Sequence, residues 1–82
     1  MGVTHTGEAA DVKVYPNPAS GVVYIQSPAA VRVVISSMDG RKIIDRDNAT
    51  KIDISKLTNG LYVITVFDES GTQIKVEKLT KE

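Results

Sequence analysis

The chain has 82 residues, which is enough for one small domain. Ten Lys and Arg balance ten Asp and Glu, so the sequence lacks the strongly basic character of nucleic-acid-binding proteins and predicts no nucleic-acid partner. The absence of cysteine excludes a disulfide framework, a thiolate nucleophile and a zinc–thiolate site. No apolar run approaches the roughly 18 residues of a membrane-spanning helix.

The sequence pattern changes near residue 11. Residues 1–10 show no hydrophobic period, and we interpret them as a linker or tail with a possible processing region. Residues 11–82 form the predicted domain, in which short runs rich in β-branched residues alternate with turn residues. This alternation is typical of an all-β sandwich or barrel, and the apolar period near two argues against helices.

Seven short strands are predicted in chain order. Two prolines around Asn17 end the first strand and fix the corner after it. Asp39 and Gly40 predict a two-residue hairpin loop, and residues 68–71 predict a four-residue loop. The predicted strands cover residues 12–15, 22–26, 31–38, 41–47, 50–54, 61–67 and 72–80.

The segment before the sixth strand does not alternate. It predicts a single helical or 3₁₀ turn in which Leu57 fills the core, closed by Asn59 and Gly60 in the left-handed region. The sixth strand, residues 61–67, is the longest apolar run and is predicted to be central and buried on both faces.

Aromatic residues are few, and all four lie at predicted strand positions. We expect them to belong to the core, which leaves no exposed platform on which a sugar or a base could stack. These residues are Tyr15, Tyr24, Tyr62 and Phe67.

The sequence offers little for catalysis or metal binding. Its single histidine, His5, lies in the predicted tail, where it cannot be held against a nucleophile. Asp45, Asp47 and Asn48 resemble the start of a calcium loop, but the glycine and the bidentate Glu of such a loop are missing. We therefore expect no enzymatic activity, no metal and no cofactor, and interpret this acidic segment as a solvated strand end.

The composition and the strand pattern therefore favour a β-rich module that binds another protein. Another protein can bind an exposed edge strand through backbone pairing, and the first and last strands are the natural candidates. The lysines of the last strand, at positions 75, 78 and 81, also suit an edge that must avoid aggregation.

Four motifs in order resemble the type IX secretion C-terminal sorting domains of Bacteroidota. Residues 14–21, which include Pro16-Asn17-Pro18, are similar to the opening motif of that family. Residues 33–43 resemble its strand–turn–strand motif, and residues 52–64 resemble its motif of Leu, Gly and Tyr. A lysine-rich strand, residues 74–81, follows, so the resemblance covers residues 12–82.

The resemblance implies an immunoglobulin-like β-sandwich of about seven short antiparallel strands. It also implies a non-catalytic signal that follows a larger N-terminal cargo domain. Such a signal directs its cargo from the periplasm through the type IX outer-membrane translocon, with its shuttle proteins, to the outer membrane, cell surface or medium. A sortase-like surface peptidase then removes the signal.

The resemblance further assigns roles to individual residues. In the last strand it implies translocon recognition for Lys75, Val76, Lys78, Leu79 and Lys81. It implies mainly structural roles for the motif residues Pro16, Asn17, Pro18, Gly40, Gly60 and Tyr62.

Two other functions stay open at the level of sequence. One is an adhesive or carbohydrate-binding sandwich retained on a surface enzyme, which an exposed aromatic cluster or a calcium site would favour. The other is a small hydrolase, against which the position of His5 argues. A homodimer formed by exchange of a terminal strand is also compatible with the sequence.

Overall fold

A computed structural model describes residues 12–82. The predicted tail, His5 and the processing region lie outside these residues. The described part of the chain contains seven β-strands, each within one residue of its predicted boundaries, and no helix that could span a membrane. The strands are β1 (Lys13–Tyr15), β2 (Val22–Gln26), β3 (Arg32–Ser37), β4 (Lys42–Asp47), β5 (Lys51–Asp53), β6 (Gly60–Phe67) and β7 (Gln73–Lys81).

The strands form two antiparallel sheets. One sheet has the order β1-β2-β5, and the other has the order β4-β3-β6-β7. This is an immunoglobulin-like arrangement in which the fourth strand joins the sheet of the third, sixth and seventh. The predicted all-β sandwich is confirmed, and both terminal strands, β1 and β7, lie at sheet edges as expected.

One hydrophobic core lies between the sheets. Alternate residues of β1, β2, β5 and β6 are buried in it, because successive side chains of a strand leave opposite faces. In β2, for example, Val23 and Ile25 are buried while Tyr24 is exposed. The largest fully buried side chains come from both sheets and the segments beside them: Ile35, Ile54, Ile64, Leu79, Val23, Val33 and Val66.

The prediction that residues 61–67 are buried on both faces was wrong. β6 is central in its sheet, but only Tyr62, Ile64 and Val66 are buried. Leu61, on the outer face, is 50% exposed. An antiparallel sheet of a sandwich packs against the core with one face and leaves the other to solvent.

The hairpin between β3 and β4 has a three-residue loop rather than the predicted two. Ser37 and Arg41 close it, since the Ser37 N–H donates to the Arg41 carbonyl at 2.8 Å. Gly40 has φ +93°, whereas Asp39 does not adopt positive φ. This is a turn followed by one residue in the left-handed region, which needs a single glycine. The Ser37 hydroxyl accepts a hydrogen bond from the Arg41 N–H at 3.2 Å and donates to Asp39.

The hairpin between β6 and β7 repeats this construction. Asp68 and Thr72 close a three-residue loop, again one residue away from the predicted length, and Gly71 has φ +89°. The Asp68 carboxylate takes the place of the Ser37 hydroxyl and accepts a hydrogen bond from the Thr72 N–H at 2.9 Å. The two hairpins of the larger sheet are therefore fixed by the same side-chain-to-backbone device.

The segment between β5 and β6 makes one hydrogen-bonded turn. The Leu57 N–H donates to the Ile54 carbonyl at 3.0 Å, and the half-buried Leu57 side chain packs against the core. Asp53 caps the turn by accepting a hydrogen bond from the Ser55 N–H at 2.9 Å. Of the two residues predicted to be left-handed, only Gly60 has positive φ, at +151°.

Candidate functional site on the last strand

The last strand, β7, is an edge strand whose side chains fall into two groups. It pairs with β6 along its length, and no strand of residues 12–82 lies on its other side. Leu79 and Lys81 are buried, whereas Val76 is 51% exposed and Lys78 is also exposed. Lys75 is half-buried. The five residues predicted for recognition thus do not form one exposed surface.

Leu79 and Lys81 anchor β7 in the domain. Leu79 is completely buried, and its replacement by Ala should cost about 2–5 kcal/mol of stability. The Lys81 ammonium donates to the Asn59 side-chain oxygen at 3.3 Å and to the Glu82 carbonyl at 3.0 Å. Both side chains are buried in the domain.

The other three candidates lie along the first part of β7. The Lys75 ammonium is 3.6 Å from a carboxylate oxygen of Glu77, on the face of the sheet that carries the core. Val76 and Lys78 lie on the outer face, opposite Thr65 and Val63 of β6. Their side chains are therefore accessible together from the solvent side of the larger sheet.

Asn17 binds the backbone of β7 with its side-chain amide. The Asn17 Nδ2 donates to the Lys78 carbonyl at 2.6 Å, and the Thr80 N–H donates to Asn17 Oδ1 at 3.0 Å. The amide thus supplies one donor and one acceptor, as a neighbouring strand would. The same Nδ2 is 3.2 Å from the Glu77 carboxylate.

Ala19 continues this pairing with its backbone. Its N–H donates to the Thr80 carbonyl at 2.9 Å, and its carbonyl accepts from the Glu82 N–H at 2.8 Å, which forms a parallel bridge to Lys81. Pro16 and Pro18 have no N–H to donate, so the Asn17 side chain supplies the contact between them. We call residues 16–19 the clamp segment; the peptide bonds before both of its prolines are cis.

The clamp segment leaves the first half of the β7 edge open. In an antiparallel ladder, alternate residues direct both backbone groups to the same side. The Thr80 N–H and carbonyl and the Lys78 carbonyl point outward to the clamp segment. Because outward residues alternate along the strand, the Val76 N–H and carbonyl and the Lys78 N–H also point outward. Within residues 12–82 the Val76 N–H, the Val76 carbonyl and the Lys78 N–H have no hydrogen-bond partner, whereas the Lys78 carbonyl is bound by Asn17.

The remaining motif residues fix the start of β6 and the β3–β4 hairpin. Tyr62 is buried, and its hydroxyl donates to the Thr58 carbonyl at 2.5 Å. A Tyr near the start of the sixth strand that bonds a few residues upstream is the tyrosine corner of immunoglobulin-like sandwiches. Gly60 at the start of β6 and Gly40 in the β3–β4 hairpin have positive φ, which non-glycine residues rarely adopt.

Two tyrosines predicted to lie in the core are exposed. Tyr15 is 46% exposed and Tyr24 is 43% exposed, and their rings stack across β1 and β2 with centroids 5.7 Å apart. Both tyrosines alternate with buried aliphatic residues. The two-residue period of the strands therefore indicates that their side chains lie on the solvent face. Phe67 is only half-buried, beneath the guanidinium of Arg32 at 5.6 Å, and Tyr62 alone is in the core as predicted.

Asp45, in the segment that resembles a calcium loop, makes ion pairs. It accepts two hydrogen bonds from Arg32, at 2.8 and 2.5 Å, and one from Lys42 at 3.3 Å. The hydrogen bond from Arg32 is the main reason that the pKa of Asp45 lies well below its usual range. No cluster of three or more His or acidic side chains suited to a metal occurs in residues 12–82.

The sequence matches the family described as the secretion system C-terminal sorting domain over residues 13–82. The chain belongs to this family. A sorting domain of this kind is a C-terminal signal of the type IX secretion system, so it acts in secretion to the cell surface or the extracellular space. No curated protein sequence matches the chain.

A solved structure shares the fold of this sorting domain. It is PorZ from Porphyromonas gingivalis, described as an essential bacterial surface component of the type IX secretion system. The TM-score is 0.69 at 22% sequence identity, with 93% of this chain covered. The matched part is 12% of the PorZ chain, so the likeness concerns one domain of a much larger protein.

The motifs of the sorting-domain sequence acquire physical roles in the structure. The opening motif forms the clamp segment on β7, a contact between residues 60 or more positions apart that no local pattern indicates. The later motifs form the β3–β4 hairpin and the tyrosine corner. The opening motif thus holds the outer edge of β7, whereas the later motifs shape the β3–β4 hairpin and the start of β6, the strand that pairs with β7.

Proposed function

We propose that this domain is a removable address for a larger cargo that precedes it in the chain. It directs the cargo from the periplasm, with the help of shuttle proteins, through the type IX outer-membrane translocon. A sortase-like peptidase then removes the domain at the cell surface. The family match over residues 13–82 carries this proposal, and the self-contained sandwich suits a signal that must work behind a folded cargo.

The proposed recognition element is the open half of β7, residues 73–78. It offers unpaired backbone groups at Val76 and Lys78 together with their exposed side chains, and Lys75 lies beside them. A partner strand would pair with these groups, and its side chains would supply specificity. Leu79 and Lys81 contribute indirectly, since they keep β7 in its position.

The same open edge gives a second copy of the domain a place to pair. The proposal therefore includes a homodimer formed through terminal strands, in competition with the secretion machinery. Light scattering on the purified domain at several concentrations tests this part, and a monomer at every concentration would exclude it.

A charge reversal on each edge of the larger sheet tests the role of β7. A folded reporter fused to the domain would carry Lys78→Glu on β7 or Arg46→Glu on the opposite edge strand, β4. Both changes remove one positive and add one negative charge at an exposed position. We expect Lys78→Glu to lower the fraction of reporter at the cell surface by at least about threefold, with Arg46→Glu close to wild type.

Equal loss in both variants would contradict recognition by β7. Circular dichroism and thermal unfolding of the purified domains establish that both variants are folded. Secretion of the reporter at the wild-type level with Lys78→Glu and also with Val76→Asp, each tested as a single variant, would likewise overturn the assignment of the open edge.

A further inference from the structure

The smaller sheet presents an aromatic platform, a pair of rings that lies outside the recognition element proposed on β7. Tyr15 and Tyr24 are register partners on the solvent face of β1 and β2, and their rings are stacked with an interplanar angle of 27°. Nearly half of each side chain is exposed. Paired tyrosines offer a rigid apolar surface with polar hydroxyl groups, and tyrosine is enriched at binding interfaces for this reason.

Polar side chains extend this platform in two directions. Lys51 of β5 is the register partner of Tyr24, so it continues the row of the two rings across the sheet. Lys13 and Gln26 form the next row on the same face, about 7 Å further along the strands. That second row borders a shallow depression of about 330 Å³ lined by Lys13, Gln26, Ser27 and Pro28.

The charge of this face is positive. Lys13 and Lys51 make no ion pair with any acidic side chain in residues 12–82. The acidic residue of the same face, Asp53, uses its carboxylate for the hydrogen bonds to Ser55. The lysines are therefore available to an anionic group on a ligand.

We propose that the face formed by Tyr15, Tyr24, Lys13, Gln26 and Lys51 binds an acidic oligosaccharide. The tyrosine rings would contact the apolar face of a sugar ring, while the Gln26 amide and the Ser27 hydroxyl hydrogen-bond its hydroxyl groups. Lys13 and Lys51, on either side of the rings, pair with its carboxylate or sulfate groups. The proposal does not depend on the sorting role, because β7 belongs to the other sheet.

An array of uronic-acid-containing, sulfated and neutral oligosaccharides, probed with the purified 82-residue chain, tests the proposal. We expect binding to acidic members, confirmed by calorimetry on one of them. Tyr24→Ala should weaken that binding by about tenfold or more, the effect of removing one stacking aromatic side chain. Tyr24→Phe, which keeps the ring, should bind nearly as well as the wild type.

The charged part of the proposal has its own readout. Lys13→Gln should reduce the preference for acidic over neutral oligosaccharides, and added salt should weaken acidic binding. Leu61→Ala, an equally exposed apolar position on the other sheet, is the matched control and should change nothing. The proposal fails if no saccharide binds, if Tyr24→Ala binds like the wild type, or if peptides or single-stranded nucleic acids bind in place of sugars.

Discussion

Asn17 joins the first corner of the domain to its last strand. Its amide satisfies a carbonyl and an N–H of β7 that would otherwise point to solvent at the sheet edge. Each such hydrogen bond contributes about 0.5–1.5 kcal/mol, because folding exchanges it for bonds to water. The contribution is modest in energy, but it fixes where the paired half of the β7 edge ends.

Replacing Asn17 with Ala should therefore loosen the end of β7 without unfolding the domain. We expect the free energy of unfolding to fall by about 1–2 kcal/mol, with faster hydrogen exchange at the Thr80 amide, whose acceptor is lost. Urea unfolding and exchange measured by NMR check both effects. Gln73→Ala, at an exposed position of the same strand, is the control, and equal Thr80 exchange in both variants would contradict the clamp.

Asp68 makes the β6–β7 hairpin sensitive to acid. Its carboxylate accepts hydrogen bonds from the Ser70 hydroxyl, the Thr72 N–H and the Ser70 N–H, with the bond from the hydroxyl as the main cause of its lowered pKa. A carboxyl whose pKa is lower when folded stabilises the domain above its unfolded pKa of about 4. That stabilisation is lost as the pH falls through the folded pKa.

We accordingly expect Asp68→Asn to reduce stability at pH 7 and to flatten the loss of stability between neutral pH and about pH 3. Urea unfolding at a series of pH values measures this slope. Glu69→Gln is the matched control, since Glu69 lies in the same loop and none of the hydrogen bonds found in residues 12–82 involves its side chain. An unchanged slope in Asp68→Asn would show that this carboxylate is not responsible.

Individual residues differ in how far the sequence predicts them. Tyr24 lies between Val23 and Ile25, so alternation alone determines that it faces solvent, and the expectation of a core aromatic gave hydrophobicity too much weight. Asn17 is different, because its β7 partners are 61 and 63 positions away. Only the assembled sandwich brings them together.

The two halves of β7 have different neighbours on the outer edge. The clamp segment covers the second half, and no strand of residues 12–82 covers the first. The Lys75–Glu77 pair on the core-side face of the open half is a common protection of an edge against indiscriminate pairing. The open half is thus accessible to a specific partner strand while charged side chains oppose aggregation.

Proline substitutions distinguish the outward backbone groups from those that pair with β6. Val76→Pro removes an N–H that points away from β6, so the domain should stay folded. Glu77→Pro removes an N–H of the β6–β7 ladder and should cost about 3 kcal/mol or more. Thermal unfolding of both variants provides the measurement, and equal destabilisation would contradict the assignment of the open edge.

Elements were more predictable than the loops between them. Strands appear in the sequence as alternating β-branched residues, and that pattern located all seven. Loop length depends on which residues close the turn. In both hairpins of the larger sheet the residue after the glycine closes the loop as predicted, but its partner differs by one position. Ser37 takes the place of residue 38, and Asp68 takes the place of residue 67.

At the scale of the whole molecule, the sandwich places its two candidate surfaces on different sheets. The open edge of β7 belongs to the four-stranded sheet, and the tyrosine platform belongs to the three-stranded one. The resemblance of the sequence to the sorting domains predicted the fold and the family, because the shared motifs lie at the turns and corners that define the sandwich. The resemblance could not distinguish the buried residues that anchor β7 from its exposed residues, because burial depends on the opposite sheet.

We expect this domain alone to be sufficient to direct a folded cargo out of the cell. The most direct test is a reporter with a periplasmic signal peptide, followed by residues 1–82, expressed in a bacterium with an active type IX system. We predict that the reporter reaches the surface or medium without the domain, and that it stays in the periplasm in a translocon-deficient strain. A folded fusion protein that remains in the periplasm of the competent strain would show that the domain is not a sufficient signal.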